Sequence, residues 1–528
     1  MRIFLRRVLL LAVLACVRAG RATDFVWSNP AGGGYQESAN WTPSGGPPGA
    51  ADRAVLAGTP SGPIVLGANI TNHTLSVAVD SGPLTLDLGG NLLELLNIDR
   101  SSTYTNWGWV CGAGSSLVVT STVSGGLVDG LDERLDASSF CSVALFIDAG
   151  AKLNVHGGDT TLKLLQARVA GGQWRITGGA DVDLGHNYER GTSTYIGTNP
   201  DAAVLIVDGA GTTYDDVNRY VQNGTMVITN GASANNLFPV YFGSDGSTGR
   251  VVVAGNGAAM RGAYAFFGGA NGQGTAIVAD GCKLANSSYI ACADHAFGQV
   301  LITGSGSRYG GESGSFLWIC DGAYTGATGL LWVADSALVY MRWFRMKTGG
   351  TIRFDNGTMQ LVWGNTTDQL TYNRGGRIEG VGTLKNSAAG GEETFENDAG
   401  GVIAPGLAIG TLTFDGWGRA AEGVGAFTNG PGGIIEMEIA GVDNYDRLIF
   451  SNGRVRLGGG TLRLVLANGY RPSRRTTYQI LDWSAGGSLG GKFDTVELPS
   501  NDRWLLDRLY TDGTVTVEPT KGSVILVR

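Results

Sequence analysis

Between residues 200 and 340 the chain repeats itself about every 24 residues, and a period of that size constrains the fold more than any other feature. The apolar segments Val204-Leu205-Ile206-Val207, Met226-Val227-Ile228-Thr229, Val251-Val252-Val253, Ala276-Ile277-Val278, Val300-Leu301-Ile302-Thr303 and Leu331-Trp332-Val333 each run into a turn. The turns are Asp208-Gly209, Asn230-Gly231, Gly255-Asn256-Gly257, Asp280-Gly281, Gly304-Ser305-Gly306 and Asp335-Ser336, with spacings of 22, 25, 25, 24 and 31 from Asp208 onward. A second strand lies midway in most units, at Pro239–Gly243, Tyr264–Gly268, Ser288–Ala291 and Phe316–Ile319. A unit of strand, turn, strand, turn cannot bury its own apolar face, so it must stack on its neighbours and give one strand per coil to a long parallel sheet. No amphipathic helical stretch interrupts the pattern, which excludes a βαβ architecture, whose crossovers need helices.

Composition agrees with short strands and tight turns. The chain has 86 glycines in 528 residues, about twice the usual fraction, beside an ordinary 43% of hydrophobic residues and only 14 prolines. Collagen and disorder are both poor fits to that mixture. The formal net charge is −8, and an acidic chain is not a default binder of nucleic acid.

Arg2, Arg6 and Arg7 precede an apolar run from Val8 to Ala15, followed by the small residues Ala19, Gly20 and Ala22. This is the pattern of a secretory signal peptide over residues 1–22, with cleavage after Ala22. The run is too short for a resident membrane helix. Val13-Leu14-Ala15-Cys16 also loosely resembles a lipobox, which would place a lipid on Cys16 instead. Beyond the leader, Cys111, Cys141, Cys282, Cys292 and Cys320 form an odd set with no CxxC and no nearby histidine pair, so metal binding is not expected. One disulfide and buried small hydrophobes are the two readings of these thiols.

The segments "VLIVDGAGTTY", "GTMVITNGAS", "VYFGSDGSTGRVVVAGNGAAM", "FFGGANGQGTAIVADGCKL" and "GQVLITGSGSRY" resemble the repeats of autotransporter passengers and of exported proteins with PEP-CTERM sorting tails. At the N-terminal flank, Trp27, Asn40-Trp41 and Pro47–Val55 are similar to the opening of such proteins. At the C-terminal flank, Gly401–Gly406 with Ile409–Phe414 is similar to the autotransporter-associated β-strand motif, (L/I)-x-PG-x-x-x-GTLT. Ile435–Ile439, Tyr445–Leu448, Leu457–Leu462 and Thr477–Leu481 follow in the order of that family. The resemblance implies a right-handed parallel β-helix of the pectin-lyase-like kind, and says little of activity, since many unrelated proteins share the architecture. The chain departs from an autotransporter in that no run of alternating barrel strands follows Gly513–Val517. It also lacks a terminal apolar helix after Glu518-Pro519, so either it is released or a separate membrane partner holds it.

Candidate chemistry is sparse. His73, His156, His186 and His295 are isolated, and a histidine base needs an orienting partner. Asp181 and Asp183 lie two apart on a strand and should share a face, as a carboxylate pair for glycoside hydrolysis would require. Asp215-Asp216, Glu392-Glu393 and Asp443 with Asp446 are further acidic clusters, read as turn chemistry and a solvated surface. The calcium-binding nonapeptide repeat is absent. Trp107, Trp109, Trp318, Trp332 and Trp343-Phe344 either fill the core or stack on sugars, and burial is the expectation; Tyr264, Phe266 and Tyr289 suit a stacked ladder between coils.

The sequence therefore predicts an all-β chain: a signal peptide over 1–22, a right-handed parallel β-helix over 23–400 with repeats clearest at 200–340, a region over 401–518 that continues or caps it, and a short tail over 519–528. Thr122 to Phe140 reads as an insertion loop. The expected function is an exported cell-surface or secreted scaffold of a bacterium, adhesin-like or envelope-structural, binding glycans or proteins. No catalytic, cofactor or metal site, no cofactor, no nucleic-acid partner and no transmembrane anchor in the mature chain are expected. The competing expectation is a carbohydrate-active β-helix enzyme, a polysaccharide lyase or glycoside hydrolase.

Overall fold

The computed structural model describes residues 23–518 except 79–82, 97–108, 114, 130–143, 165, 185–192, 198–201, 312–314, 363–370, 388–393, 418–425, 474 and 501–502. The leader, Cys16, the tail over 519–528, Trp107, Cys141, His186 and Glu392-Glu393 lie outside the described residues. The described residues contain strands and two short 3-10 turns, with no α-helix. They fall into two compact units, one ending at Val217 and the other beginning at Asn218.

Each unit is a stack of coils whose strands pair in parallel with their counterparts one coil earlier and one coil later. A coil has three strands, where the sequence showed two. In the second unit one coil comprises Gly224–Thr229, Ser233–Asn236 and Val240–Phe242, on a first, second and third face respectively. The strand missed by sequence, Ser-Ala-Asn-Asn, turns only Ala234 and Asn236 inward and carries no apolar alternation. In later coils the second-face strand merges with a neighbour: Ala259–Phe267 bends, pairing with Ser233–Asn236 through one half and Val240–Phe242 through the other.

Turn chemistry sets where a coil bends. Asn230 and Gly231 have φ of 54° and 82°, and Asp280 and Gly281 of 57° and 78°. These left-handed pairs are what Asn-Gly and Asp-Gly tolerate and β-branched residues do not. Register then follows from the ladder. On the first face the inward column runs Met226, Val251, Ala276, Val300, Leu331 and Ile352, each in register with the next. All six are at most 1% exposed.

In the first unit Asp24–Trp27 pairs in parallel with Arg53–Ala57 and antiparallel with Trp41–Thr42, which covers its other edge. Trp27 and Tyr35 pack edge-on against Trp41, at 5.2 and 4.8 Å. Asn40 accepts from the Asn29 amide at 2.9 Å and donates to the Gly34 carbonyl at 2.8 Å, and the Trp41 indole donates to the Tyr35 carbonyl at 2.7 Å. Asn40-Trp41 thus closes the first coil. Within the stretch read as an insertion loop, Gly126–Asp129 is instead a ladder strand between Leu92–Leu95 and Thr160–Leu164. A strand of four residues in which Val128 is the buried apolar side chain left too little pattern to recognise.

In the second unit coils continue through Thr495–Glu497. Thr477–Gln479, Thr514–Val517 and Trp504–Leu505 form a separate antiparallel sheet. The amides of Ile480 and Leu481 both donate to the Gly513 carbonyl, which covers the edge of the last second-face strand, Leu481–Asp482. Such an edge would otherwise template further pairing.

The motif at 401–414 also has a structural explanation. Gly380 and Gly406 exchange backbone hydrogen bonds at 3.1 and 2.8 Å, and a Cβ on Gly380 would lie 1.9 Å from the Phe354 carbonyl oxygen. Asp446, which is fully buried, accepts from the amides of Gly410 at 2.8 Å and Glu438 at 2.7 Å and so ties the motif to the following hairpin.

Inside the third face, Asn373, Asn397 and Asn429 form a fully buried amide ladder. Asn373 donates to Asn397 at 2.9 Å and Asn397 to Asn429 at 2.8 Å, while Asn429 reaches the carbonyls of Gly433 and Gly459. Replacing Asn397 by Ala removes a partner from both buried neighbours, and is expected to cost about 2 kcal/mol. A urea-unfolding midpoint indistinguishable from that of the parent chain would contradict this role.

Candidate functional site

Along each face the described strands keep register from coil to coil, with shifts confined to the bends at Arg261–Tyr264, Val333–Ala334 and Asp355–Gly357, so outward side chains line up in rows as inward ones do. The rows are where function can sit, and the two units carry different chemistry on them.

In the first unit the second face carries the carboxylate pair singled out by sequence. Asp181 and Asp183 do share the outward face, with Val182 and Leu184 buried between and after them. Lys163, Asp183 and Asp215 are successive in register along one row. Asp181 accepts a hydrogen bond from the Thr213 hydroxyl, and Asp216 is buried at 4% exposure, so the Asp215-Asp216 pair is split between outside and inside. These acids are engaged within a flat ladder. An open cleft elsewhere in this unit, lined by residues 27–30 and 57–60, holds no titratable side chain.

Among the described residues the histidines do not converge. His156 contacts the Thr177 hydroxyl at 3.0 Å, and His295 sits in a turn at φ 51°. Among the described residues no group of three or more His, Cys, Asp or Glu side chains could hold a metal ion. Cys111, Cys282, Cys292 and Cys320 are free thiols. Burial pushes the thiols of Cys111, Cys292 and Cys320 up to about 12, which makes them poor nucleophiles.

The third face of the second unit is different. Its central outward row reads Tyr220, Tyr241, Phe266, Tyr289, Trp318, Arg345 and Tyr372, each in register with the next. The first four rings stack, at 4.9, 4.8 and 4.4 Å with interplanar angles of 7°, 14° and 0°. The expected ladder of Phe266 and Tyr289 is therefore present, and Tyr264 leans on Tyr289 at 6.3 Å. Trp109 and Phe344 fill the interior as expected, and so does Trp174, but Trp318 and Trp332 face outward. In Phe316-Leu317-Trp318-Ile319 every residue is apolar, so alternation alone could not reveal which side the indole takes.

Past Trp318 the row turns polar. The Arg345 guanidinium lies 4.9 Å from the Trp343 ring centroid and 5.7 Å from those of Trp318 and Tyr372. Asp321, almost buried, accepts from the Tyr372 hydroxyl at 2.9 Å and pairs with Lys347 at 2.8 Å. Burial, and then the bond to Asp321, push the Tyr372 phenol up to about 12, so it stays a donor. Sequence analysis missed Arg345, Asp321 and Tyr372, which only the register brings together.

The first face of the same unit runs from apolar to charged in the same direction. Its outward Val227, Val252, Ile277, Leu301 and Trp332 are followed by Arg353 and Glu379. Arg353 and Arg377 both pair with Glu379 at 2.7 Å, and Arg377 and Arg463 both reach Glu436, at 3.1 and 3.3 Å.

No family model matches the chain, and none of the curated proteins compared with it does either. A solved structure of a TibC-catalysed, hyper-glycosylated TibA fragment aligns over 89% of this chain and 94% of that one, at 11% identity and a TM-score of 0.22. The architecture rests on the strand pairing and not on that alignment.

Burial, with Glu438 and Glu436 nearby, pushes the Asp446 carboxyl up to about 7 from 3.8, against the pull of its two amide donors. A folded value above the unfolded one means that the native state holds the proton more tightly, so this group costs stability above pH 7 and the cost is relieved as pH falls from about 7 to about 4. Asp446→Asn should flatten that part of the stability–pH curve. An unchanged curve would show that Asp446 is not the titrating group.

Proposed function

We propose that the chain is an exported surface or secreted β-solenoid scaffold, adhesin-like or envelope-structural, whose outward rows bind glycans or other proteins. The observation that carries this reading is the stacked aromatic row from Tyr220 to Tyr289, continued by Trp318 and Arg345 on an outer sheet face. A fixed, repeating surface of aromatic rings and a cation is suited to recognition of an extended ligand. The dispersal of the described histidines and the engagement of Asp181, Asp216 and Asp446 in ladder and turn contacts weigh toward binding rather than catalysis.

The resemblance to autotransporter passengers and PEP-CTERM-associated proteins supports a right-handed, pectin-lyase-like winding. The signal-peptide pattern supports export from a bacterial cell, and a separate membrane partner would account for attachment. Among the described residues no helix is long and apolar enough to cross a membrane.

The test is to incubate the purified mature chain on a broad glycan panel, scoring retention and the release of reducing or unsaturated ends in the same wells. Retention without turnover is expected. Reproducible cleavage that disappears on Asp183→Asn or Asp215→Asn would move the protein to the polysaccharide lyases or glycoside hydrolases.

A further inference from the structure

The corner between the second and third faces of the second unit combines exposed apolar side chains with cations that have no acidic partner. Leu237 and Phe238 lie in the turn from Ser233–Asn236 to Val240–Phe242 and are 47% and 41% exposed. One coil on, Ala259–Phe267 bends around the same corner, and Tyr264 at its bend is 39% exposed. In the next coil the corner residue is Ser287, too small to separate its neighbours, so the Tyr264 and Phe316 rings meet across it at 5.8 Å. The apolar side chains therefore form a ridge along the corner.

Charge sets this corner apart from the rest of an acidic chain. No carboxylate occurs in 233–242, 259–267 or 283–290, although the formal net charge is −8. Arg261 stands on the second-face half of Ala259–Phe267, and Lys283 opens the second-face strand of the next coil. Both are exposed, and neither forms an ion pair among the described residues. Arg308 follows Lys283 in register and lies over the Tyr340 ring at 5.5 Å, so the row stays positive for one more coil. In the first unit the second face carries Asp183 and Asp215 instead.

We propose that this corner docks on an anionic phospholipid bilayer, with Leu237, Phe238 and Tyr264 entering the interfacial layer and Arg261 and Lys283 meeting lipid phosphates. The inference goes beyond the glycan- and protein-binding reading of the stacked row, and gives the chain itself a means of being held at a surface. Apolar side chains flanked by cations are the composition of segments that lie on a bilayer, and tyrosine carries a hydroxyl suited to the headgroup level. A protruding ridge can enter a plane of lipid, whereas a small ligand needs a concave site. A second copy is disfavoured, because three exposed side chains bury far less than the roughly 1,200 Å² of a stable interface. A peptide adding as a strand is disfavoured as well. Ala259–Phe267 is paired along both edges, with Ser233–Asn236 and Val240–Phe242 on one side and Lys283–Ile290 on the other.

The test is co-sedimentation of the mature chain with vesicles of equal parts phosphatidylcholine and phosphatidylglycerol, and with vesicles of phosphatidylcholine alone. Partition onto the mixed vesicles is expected, with weaker partition onto phosphatidylcholine. Arg261→Gln and Lys283→Gln should each lower partition onto the mixed vesicles about fivefold and leave that onto phosphatidylcholine unchanged. Phe238→Ser should lower both about tenfold. Arg250→Gln, an exposed cation on the first face, and Leu407→Ser, an exposed side chain of a later coil, should change neither. Each variant is checked for the parent far-ultraviolet circular dichroism; if Phe238→Ser loses it, Leu237→Ser on the same turn takes its place. A parent chain that stays in the supernatant overturns the proposal, as does partition that the corner substitutions leave unchanged. A dimer of the parent that Phe238→Ser dissociates would give the corner to a second copy and overturn it too. Retention on the glycan panel should be the same in the corner variants as in the parent, so failure on vesicles leaves the glycan reading standing and failure on the panel leaves the membrane site standing.

Discussion

The parallel, in-register hydrogen bonding of successive coils is the constraint on which the rest of the structure depends. A strand rises two residues per side-chain repeat, so a slip of one residue would exchange the buried and exposed sets of an entire coil. The inward column from Met226 to Ile352 makes that slip prohibitive, since burying one such aliphatic side chain is worth about 1.5–3 kcal/mol. The column extends the same way through Ile378, Ile403, Ile435 and Leu462. Register fixed by the inside is inherited by the outside. Rows of like or complementary residues on the exterior are then a matter only of what the sequence places there.

What it places there changes along the second unit. Early coils carry aliphatic and aromatic rows, whose side chains shield one another through contact between coils. Later coils carry Arg353, Glu379, Arg377, Glu436 and Arg463, joined as alternating charges. Individually such exposed pairs contribute little, but a chain of them sharing partners also keeps like charges from meeting across strands. Inside the same coils, the Asn373–Asn397–Asn429 ladder passes a buried amide hydrogen bond from each coil to the next, a polar arrangement that works only because register is already set.

Much of this was legible in residues. The Asn230-Gly231 and Asp280-Gly281 turns and the β-branched runs before them revealed both the period and the solenoid. The second face stayed hidden because its strands are short, as at Arg308–Tyr309, or merged with neighbours, as in Gly350–Leu361. The Asn ladder left a signal that went unread, an aromatic or Thr residue two positions before each of Asn373, Asn397 and Asn429. The outward aromatic row was half legible: its rings stood out, yet their facing did not, because Phe316–Ile319 is apolar throughout. Arg345 and Asp321 gain meaning only from partners one or more coils away, which spacing in a repeat with lengths from 22 to 31 cannot assign.

The most direct test is the contact pattern of the outward methyl groups Val227, Val252, Ile277 and Leu301, read as methyl–methyl nuclear Overhauser effects in a selectively labelled, otherwise deuterated chain. Three-strand coils stacked in parallel predict cross-peaks between each residue and the next in that series, and none between Val227 and the Tyr241 ring on another face of its own coil. Cross-peaks from Val227 to Tyr241, with the series itself silent, would mean that each repeat folds back on itself as a hairpin, and the solenoid would be wrong.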